Sequence, residues 1–302
     1  MHGPPDQHFC KPPLSLDEQL RLLESRGLQI AEPRKAIHYL QFIGYYRLSG
    51  YFHAFYERGL SPSHTFAART TFKTVLEAYI LDRELRILVM DAIERIEVAF
   101  RACISNTLCL HHGAHWFLDP KHFVSTNLHE EILEKIKNEL MRRDKEEFIS
   151  HYFKTYCHPE LPPSWMVVEV ISLGTLSRIY SKLADRSIQK AICKPFGINH
   201  YVIESWLHAL AYLRNLCAHH ATLWNRTFSI KPTPLRSLQK LMSRNDKFFA
   251  QAVMLYTLMR VIADGSRWQH RLASLLEKHS IISSGIMGFP SNWKEDPFWN
   301  LA

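Results

Sequence analysis

The sequence predicts an all-α protein, and three observations carry that expectation. From about Phe72 to about Leu110 the chain holds neither Pro nor Gly, while Leu81, Leu85, Leu88, Ile93 and Ile96 recur at helical spacing. Elsewhere Pro and Gly fall between periodic runs, where they punctuate helices. No strand hairpin signal stands out.

The first helix begins at Leu16, because Ser15 and Glu18 have the spacing of a capping box, and it stops at Gly27, a residue that accepts the left-handed conformation. A second runs from Pro33, at the tolerated first position, to Ile43. The run Gly44 to Phe52 (GYYRLSGYF) reads as a helix junction packed under Tyr45, Tyr46 and Tyr51. The competing reading makes its aromatics and Arg47 an RNA contact. In the long helix from Phe72, Glu94, Glu97 and Arg101 share a stripe, and Glu97 and Arg101 form an i,i+4 ion pair expected to lie exposed. Further helices are predicted over His129–Arg143, Trp165–Leu183, Ser187–Cys193, His200–His219 and Asp246–Lys278. The expected division is an N-terminal helical segment (1–70) packed on a helical core (71–279), followed by a tail (280–302), rich in Gly, Pro and Trp, lying over the surface.

Composition bounds the function. With 302 residues, 46% of them hydrophobic, the chain can bury one large core or two modest ones. The net charge of +8 favours a polyanionic partner, since Lys and Arg displace counterions condensed on phosphates. Six cysteines show no C-x-x-C spacing, so reduced thiols are expected. The opening Met1–Pro5 lacks the features of a secretory signal, and the apolar run Phe248–Ala263 is too short for a span and broken by Gln251 and Arg260. A cytoplasmic protein with no membrane contact is expected.

The segment from Tyr201 to His220 is unlike the others. On a helical wheel Trp206, Leu210, Leu213 and Cys217 form an apolar face, while His208, Tyr212, Asn215 and His219 repeat the same spacing on the opposite side. Glu204 extends that polar row by one turn. A second face of His, Tyr, Asn and His is poorly explained as a solvated surface and reads as a buried or cleft-facing row. It suits a hydrogen-bond network, a metal site or an acid-base site. Neither His208 with His219 nor His219 with His220 has the i,i+4 geometry of a helical zinc site, so no metal or other cofactor is expected. Arg214 lies on the flank, about 140° around from His219, and one rigid helix does not join their tips. A second copy across a two-fold would.

The stretch R-N-L-C-A-H-H (Arg214–His220) resembles the Arg-x4–6-His signature of HEPN-domain proteins. Four further runs accompany it in order: Lys11–Gln19 (KPPLSLDEQ), Leu40–Tyr51 with its I-G-Y-Y-R-L-S-G-Y core, Ala92–Glu97 (AIERIE) and Cys217–Arg226 (CAHHATLWNR). Together they resemble the AbiD/AbiF-type abortive-infection family over roughly Cys10 to Lys231. That resemblance implies a HEPN-like helical bundle with additional N- and C-terminal helices, a role in bacterial defence against phage, and RNase activity. It also implies a contact between Glu97 and Arg214. One position departs from the family pattern, which often has Arg where this chain has Thr222.

RNA carries its own nucleophile, the 2′-hydroxyl, so cleavage needs only a base, an acid and charge stabilisation at phosphorus. His219 is the expected proton-transfer residue, with His220 as the alternative. Arg214 would hold the phosphate and Asn215 orient the imidazole, with Tyr212 and His208 in support. Arg226, Trp224, Arg47 and Arg101 are the candidate RNA contacts, although Trp224 and Arg226 also suit anchoring of the loop. One histidine cannot easily serve as both acid and base, so a homodimer with a composite site is expected. The alternatives are a non-catalytic RNA- or protein-binding module, and a toxin governed by a cognate small RNA or antitoxin.

Overall fold

The computed structural model describes residues 11–57 and 64–301; Cys10 and the Met1–Pro5 segment lie outside them. Among the described residues there are helices and turns, and the extended backbone pairs only in isolated bridges such as Tyr56 with Phe66. The class is all-α. The chain divides into two compact units, Met1–Leu81 and Asp82–Ala302.

The first unit contains α1 (Leu16–Ser25), α2 (Pro33–Phe42), α3 (Tyr45–Phe52) and the start of α4 (Phe72–His112). The Ser15–Glu18 capping box forms as its spacing predicts, and Gly27 follows α1 with φ +87°. Gly44, φ +89°, separates α2 from α3. Leu23, Leu40, Leu48, Tyr51 and Phe52 make the core. Tyr46 does not belong to it. It is 90% exposed, because within α3 it sits on the face opposite Leu48 and Phe52.

The second unit holds the rest of α4, then α5 (Thr126–Met141), α6 (Glu147–Thr155), α7 (Ser164–Val170), α8 (Leu173–Ser181), α9 (Arg186–Cys193), α10 (His200–Ala218), α11 (Phe248–Ile262) and α12 (Trp268–Lys278). The periodicity from Phe72 is one unbroken helix, as expected. The helix expected over Trp165–Leu183 is two. Ser172 caps α8 by accepting the Thr175 N–H at 3.2 Å, and Glu139 of α5 accepts both the Ser172 N–H (2.6 Å) and its hydroxyl (3.1 Å). A side chain distant in sequence thus supplies an acceptor that competes with continuing the helix. The Asp246–Lys278 run likewise divides at Asp264-Gly265, where the aspartate accepts the glycine N–H at 2.8 Å. Helix α6 was not expected.

Helix α11 is buried nearly all round, as a core helix should be. Among the described residues no helix is long and apolar enough to cross a membrane. The tail lies over the surface only in part, because its large side chains turn inward. Met287, Phe289, Trp293 and Trp299 are buried, and the Trp299 indole stacks on Tyr256 of α11 at 5.4 Å and 8°. Its aromatics have large areas to remove from water, which outweighs its Gly and Pro content.

Candidate active site

Helix α10 starts at Asn199, which accepts the Tyr201 N–H at 3.4 Å, and packs most extensively on α8. The apolar face is where the wheel puts it: Trp206, Leu210, Leu213 and Cys217 are buried. Most of the opposite row faces a cleft of about 900 Å³, but His219 and Arg214 are not among the residues that line it. Glu204, His208, Tyr212 and Asn215 line one wall, while Lys135 of α5 and Arg178 of α8, with Lys182 following α8, line another. The polar row is therefore cleft-facing rather than buried, with Glu204, His208 and Asn215 exposed and Tyr212 half-buried.

The helix ends one residue before His219. His219 is the C-cap, and its N–H bonds to the Asn215 carbonyl at 3.0 Å. His220 follows with φ +55°, its N–H on the Cys217 carbonyl (3.0 Å), and the Ala221 N–H reaches the Leu216 carbonyl (2.8 Å). These two bonds form a Schellman motif, whose left-handed position is usually Gly. A histidine there costs on the order of 1–2 kcal/mol of backbone strain. His219 and His220 are both exposed. Arg214 is half-buried, and its guanidinium donates to Asn215 Oδ1 at 3.5 Å.

What holds the strained turn is a pair that the sequence did not reveal. Asp82, fully buried on α4, accepts the backbone N–H groups of Leu223 (2.9 Å) and Trp224 (2.8 Å) on one carboxylate oxygen. Its other oxygen takes the guanidinium of Arg86, one turn along, and Arg86 also donates to the Ala221 carbonyl at 3.4 Å. The anchor thus holds three of the four residues that follow His220. Trp224 is 3% exposed, and Arg226 donates its Nε to the Thr222 carbonyl at 2.5 Å, so both hold this loop. Burial pushes the Cys217 thiol up to about 12, with Arg86 and Asp82 acting in opposite senses on it. It is no nucleophile at neutral pH.

The other candidates have surroundings of their own. Glu97 pairs with Arg101, and the pair is largely buried, with side chains 16% and 10% exposed, rather than solvated. The long apolar helix is covered on that side, and the pair is covered with it. Among the described residues Glu97 bonds to Arg101 and Arg214 to Asn215; a Glu97–Arg214 contact is not formed. Arg47 is exposed on α3 in the first unit.

Comparison with protein families matches residues 38–225, well over half of the chain, to the family of Abi-like proteins. The chain belongs to that family. Membership suggests a part in abortive infection, the defence of bacteria against phage. No curated protein and no solved structure matches this Abi-like chain. The matched span includes α10, the Schellman turn and the Asp82–Arg86 anchor. Sequence reasoning missed Asp82 and Arg86, although an acid and a base at i,i+4 inside an apolar run were visible as a signal. Lys135, Arg178 and Lys182 gave no such signal, because only the packing of α5 and α8 beside α10 brings them to the cleft.

Proposed function

We propose that this chain is an AbiD/AbiF-type abortive-infection protein with a HEPN-like core, and that it cleaves RNA without a metal. The observation that carries the reading is the pairing of a polar, cleft-facing helix with a strained, anchored turn that presents His219 to solvent one turn beyond Asn215. Backbone strain held in place by a buried anchor accompanies functional sites, where it fixes the direction of neighbouring side chains such as His219.

In the reaction His219 takes the proton from the 2′-hydroxyl, whose oxygen attacks the adjacent phosphorus. The 5′-oxygen leaves with a proton supplied by a second imidazole, and the product is a 2′,3′-cyclic phosphate beside a 5′-hydroxyl. Arg214 holds the non-bridging oxygens with its planar fork, for which it leaves its long bond to Asn215. The second imidazole comes from a second copy of the chain, so the working unit is a homodimer. His220 is the alternative proton carrier. A cognate small RNA or antitoxin would keep the toxic activity silent in the cytoplasm of a resting cell.

Product-end analysis by mass spectrometry tests the chemistry. Cyclic phosphate ends are expected, and an RNA carrying a single 2′-deoxy at the cut position stays intact. Cleavage of that substrate at the same position would rule out attack by the 2′-oxygen. Titrating wild type with an excess of inactive His219→Ala chain tests the composite site, because a heterodimer keeps only one of the two imidazoles and activity should fall below that of the same amount of wild type alone.

One observation favours a second reading, a binding module without catalysis: Arg214 donates to Asn215 within its own helix. Under that reading RNA is bound and recovered uncut, and His219→Ala leaves its affinity unchanged.

A further inference from the structure

The cleft beside α10 is not used by the chemistry above, yet its two walls differ in a way that selects a ligand. Three cations, Lys135, Arg178 and Lys182, meet one lining carboxylate, Glu204. Arg178 shares its fork with Glu131, but its Nε is buried without a hydrogen-bond partner among the described residues. On the α10 wall Tyr201 is 57% exposed, and Tyr212 is held edge-on against Phe228 at 6.4 Å and 87°. From Tyr201 to Asn215 the wall extends ~21 Å along the helix, and His219 lies ~6 Å beyond its end.

We infer that this cleft is the track that receives single-stranded RNA and leads it to the turn at His219, an inference that rests on the RNA-cleaving reading. Phosphates meet Lys135 of α5, Arg178 of α8 and Lys182 just after it, whereas Arg214 does not line the cleft. An unpaired base stacks on the exposed Tyr201 ring, which a base inside a duplex has no free face to do. His208 and Asn215 offer hydrogen-bonding groups to base edges and 2′-hydroxyls on the way to the turn. A second copy of this chain fits the cleft worse. A two-fold contact across the cleft would set the three cations of one copy against those of the other.

Fluorescence anisotropy with a short, labelled, single-stranded 2′-O-methyl RNA measures binding alone, because the blocked 2′-oxygen cannot attack. In the full-length protein the double variant Lys135→Glu/Lys182→Glu is expected to weaken binding about 10- to 100-fold, and to flatten the salt dependence by roughly 0.7 for each phosphate that is no longer neutralised. Tyr201→Ala, at a position 57% exposed, should weaken it about five-fold or more. The control pair Lys190→Glu/Lys240→Glu changes net charge equally on exposed residues away from the cleft and should cost less than about three-fold.

Equal losses in the cleft and control pairs, with Tyr201→Ala without effect, would overturn the track and leave the RNA-cleaving reading intact. Loss of self-association in the cleft variants, seen by sedimentation with RNA affinity unchanged, would make the cleft an interface between copies and also overturn it. A wild-type protein that neither binds the probe nor cuts unmodified RNA would overturn both.

Discussion

Helix α4 carries two largely buried acid-base pairs at i,i+4 spacing, Asp82 with Arg86 and Glu97 with Arg101, and they do different things. The Glu97–Arg101 pair bonds along its own helix. The Asp82–Arg86 pair reaches across to a segment some 140 residues on, where it holds two amides and a carbonyl of the loop after His220. Spacing alone sets which pairs can meet. What a buried pair does is decided by the backbone groups left open nearby, and the Schellman turn leaves such groups beside Asp82.

That difference predicts an order of effects. Asp82→Ala removes the acceptor of two buried amides and takes the carboxylate from the buried Arg86 guanidinium, and should cost about 3–5 kcal/mol in urea unfolding. Glu97→Ala strands only Arg101, whose pair is slightly more open to water, and should cost about 1–3 kcal/mol. Equal losses would mean that the loop adds nothing to the first pair. Asp82→Asn keeps one acceptor oxygen, so it should destabilise less than Asp82→Ala while still lowering cleavage; unchanged cleavage would separate the anchor from the site.

The smallest effect concerns Cys217, whose thiol feels both members of the Asp82–Arg86 pair. Its folded pKa, about 12, lies above the unfolded value of ~8.5, so its contribution to stability is full below the unfolded value and lost as pH rises through the folded one. Cys217→Ala should therefore cost about 1 kcal/mol at pH 7, and its deficit against wild type should shrink between pH ~9 and pH ~11. A deficit that stays constant over that range would show the thiol to be less shielded than its burial implies. Alkylation at neutral pH should find the exposed Cys157 well before Cys217.

Much of this was legible in the sequence, for reasons that vary by element. The Ser15–Glu18 box, the unbroken α4 and the two faces of α10 rest on local spacing, and local spacing survives folding. The breaks at Ser172 and Asp264-Gly265 were not legible as breaks, since the first depends on Glu139, more than thirty residues away. The tail misled because its Gly and Pro suggested a surface segment, while four large apolar side chains carried it inward. At the site, the row facing the cleft, Asn215 included, followed from the wheel, whereas Arg214 entered only through the resemblance of Arg214–His220 to the HEPN signature. The wheel could not show that the helix stops at Ala218, which makes His219 a cap and puts His220 in a strained turn.

The most direct test incubates purified protein with total and phage RNA in excess EDTA, beside folded Arg214→Ala, His219→Ala and His220→Ala variants. The account predicts that wild type cuts, that Arg214→Ala and His219→Ala do not, and that His220→Ala retains activity. RNA left intact by wild type, with phage lysate present, would contradict it.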